Sequence, residues 1–301
     1  MNTIQTSRSK ILVQRETRSA YLFLLPSLVF FLGFVIFPMI LCVYTSFFDA
    51  TMGKNVADKF IGVQNYLELF SDGIFLKALK NTLIIVLVSV PAVAIFSLWV
   101  SSLIYKMKGP VLSAFRCIFY LPVVTGSVAV TVVWKWMFHN YYGLFNYVGT
   151  HTGMMEQNIN WLGDARFALP CIILILFTTS VGQPIVLYVS ALGNVDDSLV
   201  EAAKVDGATY LQLFWKIKWP QIMPTTLYIL VITTINSFQC FALIQLLTSG
   251  GPNHSTDTVM YYIYYTAFKL YRYGYGNAMG VILAVIIALL SALQFQLAKE
   301  K

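Results

Sequence analysis

Six stretches of this chain carry almost no charge, and each is about as long as a helix needs to cross a bilayer, about 20 apolar residues. They cover residues 19–48, 81–105, 117–134, 167–195, 219–256 and 273–298. The third continues past Lys135 to Phe138. The fifth stops near Leu247, because Ser249-Gly250-Gly251-Pro252 cannot extend a helix. Apolar residues make up 58% of the 301 positions and charged ones 11%, far from the balance of soluble domains. The expectation is an all-α polytopic membrane protein with six transmembrane helices. Residues 1–20 form a short segment ahead of the membrane domain, 21–301.

The net charge of +7 raises nucleic acid as a partner, but the placement of the charge argues for topology. If the spans alternate, twelve lysines and arginines fall on one side, from Arg8, Lys10, Arg15 and Arg18 to Lys299 and Lys301. Eight lie opposite, in longer loops. The basic side is the cytoplasmic one, which puts both termini inside; no nucleic-acid partner is expected. The first apolar run is about twice a signal-peptide core and lacks a cleavage site, so it reads as a retained helix. Cys42, Cys117, Cys171 and Cys240 fall in apolar runs without metal-type spacing, and read as buried small hydrophobes. His139, His151 and His254 sit in outer loops and read as solvated. Tyr261-Tyr262-Ile263-Tyr264-Tyr265 reads as an interfacial collar, with a sugar path as the alternative.

Between the fourth and fifth runs lies a charged island, Glu201 to Pro224. Ser198 with Glu201 three residues on is a capping-box pattern, and Asp196 and Asp197 suit a helix N-terminus. Glu201, Lys204, Val205 and Ala208 share one helical face, and Ala202, Ala203, Gly207 and Ala208 allow a partner close approach. Two readings stand on these residues alone: a docking helix for a soluble partner, or an amphipathic helix on the headgroups.

Glu201-Ala202-Ala203, Asp206-Gly207-Ala208, Phe214, Ile217, Pro220 and Pro224 resemble the EAA loop of ABC-transporter permease subunits. Phe60-Ile61-Gly62, Asn65-Tyr66, Asn81-Thr82-Leu83, Tyr120-Leu121-Pro122, Trp134-Lys135 and Thr248-Ser249-Gly250-Gly251-Pro252 extend the resemblance to the carbohydrate-uptake branch, and within it to the MalF/UgpA type. The chain departs from the maltose prototype in lacking extra N-terminal helices and a large outer domain. The resemblance implies a type I importer permease (MetI-like) fold in the bacterial inner membrane, with residues 193–220 as the coupling loop. It implies a second homologous permease (MalG/UgpE-like), two ATP-binding subunits and an extracytoplasmic solute-binding protein as partners. Glu201 would anchor the loop in the ATPase cleft, and Gly207 would provide the turn. ATP and Mg would belong to the ATPase. The chain itself has no phosphate loop, since Gly53-Lys54 is followed by Asn55, so it is expected to be a non-catalytic subunit.

Polar side chains within membrane helices mark candidate pathways. Thr233, Asn236, Ser237 and Cys240 follow i, i+3, i+4, i+7, and their hydroxyls and amide suit sugar hydroxyls. Thr178 to Pro184 form a polar, breakable segment in the fourth run. Resemblance to the maltose system adds Gly182 and Ile185, and places Thr233, Asn236, Ser237 and Cys240 at sugar-contact positions. Helix–helix packing is the competing role for such a face. Two alternatives to a sugar importer are an ion-coupled secondary transporter, which usually buries an ionisable residue near the bilayer midplane, whereas these runs hold only Lys135, near an outer end, and an ABC importer for a solute such as glycerol phosphate. The expected substrate is a neutral sugar or oligosaccharide.

Overall fold

A computed structural model describes residues 17, 19–51, 59–107 and 109–299. Arg8, Lys10, Arg15, Arg18, Lys108 and Lys301, which enter the charge count, lie outside the described residues, as does Gly53-Lys54.

The chain opens with α1 (Ser19–Thr45), which contains a π-helical turn at Leu32–Ile36. A two-stranded antiparallel ribbon follows, β1 (Phe48–Asp49) with β2 (Lys59–Phe60), and then α2 (Gln64–Ser71) and α3 (Gly73–Ile104). Next come α4 (Pro110–Val124), α5 (Ser127–Met137), α6 (Leu144–His151), α7 (Ala168–Ser180) and α8 (Gly182–Gly193). The island supplies α9 (Asp197–Val205) and α10 (Tyr210–Leu213), joined through a π-helical turn at Phe214–Lys218 to α11 (Trp219–Phe238). Three helices end the chain: α12 (Ala242–Leu247), α13 (Val259–Phe268) and α14 (Tyr273–Lys299). Six spans result when the bent pairs α4–α5 and α7–α8 each count as one.

The centre of the bundle is α3, packed against α8 on one side and α11 on the other. Val93, Val100 and Ile104 of α3 close on Ile185 and Val189 of α8, while Phe75, Ala78, Val86 and Val90 close on Phe238, Met279 and Leu283. Serines make the first contact tight: Ser97 and Ser101 donate to the carbonyls of Val181 and Ile185 at 3.3 and 3.0 Å. In contrast, the apolar window of α1 buries none of its residues within the chain.

Four expectations change. Residues 59–80, between the first two runs, are not a loop, because α3 starts eight residues before Asn81. Asp72 permits this by capping the helix, accepting from the Ile74 and Phe75 amides at 2.8 and 3.2 Å. Its other carboxylate oxygen accepts from the Tyr262 and Tyr275 hydroxyls, both at 2.8 Å. The tyrosine stretch is likewise helical, in α13, with Tyr261 and Tyr262 buried. The third run is two helices meeting at 96°, since Thr125 and Gly126 both take extended backbone. Finally, Ser198 and Glu201 form no capping box; the cap of α9 is Asp196.

Candidate coupling loop and membrane path

The helix α9 is short, so its ends decide its stability. At the start, Asp196 accepts from the Ser198 amide at 2.9 Å, satisfying one of the free N–H groups there. Hydrogen bonds from Ser198 hold the Asp196 carboxyl below the ordinary carboxylate value. At the other end, Gly207 has φ +78°. The Gly207 amide donates to Lys204 O at 3.0 Å, and the Ala208 amide donates to Ala203 O at 2.9 Å. This paired closure requires a left-handed residue, where glycine carries no Cβ penalty. The Gly207 identity is thus fixed locally by the helix stop.

Val200 faces inward against Leu192, Leu213 and Ile222, with Ala203 and Ala208 packed beside it. Glu201, Ala202, Lys204, Val205, Asp206 and Gly207 are exposed. Val205 is 88% exposed. The expected face therefore splits: Glu201, Lys204 and Val205 point out together, while Ala208 lies past the turn and is half-buried. After α9, Thr209 and Gln212 form the capping box that starts α10. Phe214, Trp215 and Trp219 then cluster at the foot of α11.

Of the cavities that border helix breaks, two also reach α11 or the residues just after it. The larger, about 340 Å³, is bounded by Pro122, Thr125 and Ser127 at the α4–α5 bend and by Gln239, Cys240 and Phe241 between α11 and α12. The smaller, about 120 Å³, joins Thr179, Ser180 and Gln183 at the α7–α8 break to Thr233 and Asn236 of α11. That break bends the pair by 41°, where Pro184 lacks the N–H that would answer Ser180 O. Irregular backbone at such a depth is tolerated where it lines a cavity.

Neither lining holds a charged residue. The Thr125 and Thr179 hydroxyls donate to Leu121 O and Ile175 O, at 2.8 and 3.0 Å, so they offer the cavity acceptor lone pairs. Among the described residues the side-chain amides of Gln183, Asn236 and Gln239 make no hydrogen bond within the chain. Of the six path residues named from sequence, Thr233 and Asn236 reach the smaller cavity and Cys240 the larger. Cys240 does so from outside the helix, because α11 ends at Phe238. Gly182, Ile185 and Ser237 lie in neither lining. Gly182 abuts the backbone of α4, where a Cβ would run into Phe119 O, and Ile185 is fully buried against α3. Sequence reasoning missed Thr125 and Ser127; Pro122 and Gly126 in the same run were the available sign of a bend.

The chain is 34% identical to the multiple sugar-binding transport system permease protein MsmF of Streptococcus mutans, covering 92% of this chain and 94% of that protein. It is 30% identical to the lactose transport system permease protein LacF of Rhizobium radiobacter, over 98% and 99%. The fold matches a chain of a bacterial alginate ABC transporter, solved in complex with an alginate pentasaccharide-bound periplasmic protein, with a TM-score of 0.80 at 24% identity over 95% and 96%. A family model described as "binding-protein-dependent transport system inner membrane component" matches residues 66–300. The capped island between the fourth and fifth spans and the uncharged cavities at the helix breaks thus lie within a permease subunit, and the chain belongs to the family of binding-protein-dependent transport system inner membrane components.

Proposed function

We propose that this permease passes a neutral sugar or oligosaccharide and forms half of the path, the other half coming from a second, homologous permease. The uncharged lining of the two cavities, amide- and hydroxyl-rich in the smaller and largely apolar in the larger, carries the reading. A sugar offers many hydroxyl donors and acceptors and no charge, which threonine acceptors and free amides match. The relatives named for sugar and lactose transport support it. Gly182, Ile185 and Ser237 shape the path from behind, and Thr233, Asn236 and Cys240 face it.

The surface of Glu201, Ala202, Ala203, Asp206, Gly207 and Ala208 seats in one of two ATP-binding subunits, which supply ATP and Mg. A solute-binding protein delivers the sugar from the opposite side, and both termini of the permease lie in the cytoplasm. The test is sugar uptake into liposomes holding the whole complex. Uptake should require ATP and the binding protein, and Glu201→Ala should cut it about tenfold or more while Thr233→Val weakens it less. Undiminished uptake with ATP absent, lost on adding an uncoupler, would replace this mechanism with ion coupling. The buried Nε of Arg116 does not favour that alternative, since arginine keeps its proton and cannot relay one.

A further inference from the structure

A third cavity, about 420 Å³, lies beside α9 and is lined by Lys106, Lys204, Lys218, Tyr105, Asp197 and Glu201 among others. We propose that it binds a phosphate group carried on a hydroxyl-bearing molecule. The central observation is Lys218, only 6% exposed. A buried ammonium is costly unless it is paired, and this one has no carboxylate within ion-pair distance among the described residues. Its Nζ donates to the Tyr105 hydroxyl at 2.7 Å and lies 5.0 and 5.8 Å from the Tyr105 and Tyr210 ring centres. Those rings soften the burial by cation–π attraction but leave the charge unneutralised. Two of the three ammonium protons remain to be satisfied.

Lys204 and Lys106 border the same space, and Lys106 also lies over Tyr105, at 5.9 Å. Neither has a carboxylate partner among the described residues. Three ammonium groups around one cavity suit a tetrahedral oxyanion, whose oxygens accept from several directions. Asp197 and Glu201 would repel a bare anion, but they accept hydrogen bonds from hydroxyls. The lining therefore favours a phosphate ester with hydroxyls nearby over inorganic phosphate. Such a group reaches the cytoplasmic side either on a soluble sugar phosphate or on a hydroxylated phospholipid headgroup. The assignment uses the functional reading above only for its sidedness.

The test uses the full chain purified with its co-expressed partner subunits in nanodiscs, where both faces are open and sidedness does not enter. Equilibrium dialysis with labelled glucose 6-phosphate in phosphatidylcholine discs probes the soluble source. Native mass spectrometry after exchange into phosphatidylglycerol discs probes the lipid source. Saturable binding or phosphatidylglycerol retention, weakened about tenfold by Lys218→Met, supports the site and identifies the source. Lys106→Met alters an exposed side chain, leaves the buried network intact, and should weaken the same signal several-fold. Absence of both signals, or signals equal in the wild type and in Lys106→Met, overturns the proposal even if Lys218→Met fails to fold.

Discussion

Single atoms hold the bundle at two places. Gly182 brings α8 against the backbone of α4, and the opposing atom is a carbonyl that cannot rotate away. Gly182→Leu should therefore lower stability by at least about 2 kcal/mol, read as thermal unfolding in detergent, with transport lost as a consequence of misfitting. Asp72 caps α3 and ties it to α13 and α14. Burial alone would raise its carboxyl, but hydrogen bonds from Tyr275, Tyr262 and the Phe75 and Ile74 amides outweigh this and hold it below the ordinary value. The folded carboxyl is the stronger acid, so its contribution is complete above the unfolded value near about 4. It fades as pH falls through the lower folded value. Asp72→Asn should lower the unfolding temperature at pH 7 and flatten its decline between about pH 5 and pH 3, measured on wild type and variant side by side.

At the scale of elements, the hairpin of α9 and α10 depends on two local devices. Thr209→Ala breaks the capping box of α10 and should cost about 1 kcal/mol. Gly207→Val places a β-branched residue at φ +78° and should cost about 1–2 kcal/mol. Hydrogen exchange over residues 197–213 would locate both losses, and protection unchanged in Gly207→Val would mean the turn is not held at that φ. The helices themselves were legible in the sequence, because long apolar runs without charge leave a membrane span as the simplest form. Their ends were not. Asp72 stood outside the apolar run, so eight helical residues before Asn81 read as loop. Asp196 and Ser198 are both good caps, and only the backbone path chooses between them. Thr233 and Asn236 were identifiable as polar residues in an apolar helix. Cys240 lines the larger cavity for a different reason from helical spacing, since the chain leaves the helix after Phe238. Thr125 and Ser127 became visible only when the 96° bend turned them toward α12.

Seen whole, the molecule is incomplete as a membrane body. The apolar window of α1 buries nothing within the chain, whereas that of the span through α11 buries 44% of its residues. The chain's large hydrophobic surface has to meet lipid or another subunit. Co-expression with the second permease should raise the unfolding temperature by several degrees over the chain purified alone, by mass action on the folded state. An unchanged temperature would assign the face of α1 to lipid. The bend between α4 and α5 also has a mechanical meaning. Its first arm packs along α8, which leads directly into α9, and its second arm packs on α12 across the larger cavity. Two helical arms set near a right angle would work as a bell crank: a push along one arm emerges as a sweep across the other. A small axial pull at the α9 end would therefore reach the cavity wall turned through about a quarter circle, opening or closing it sideways.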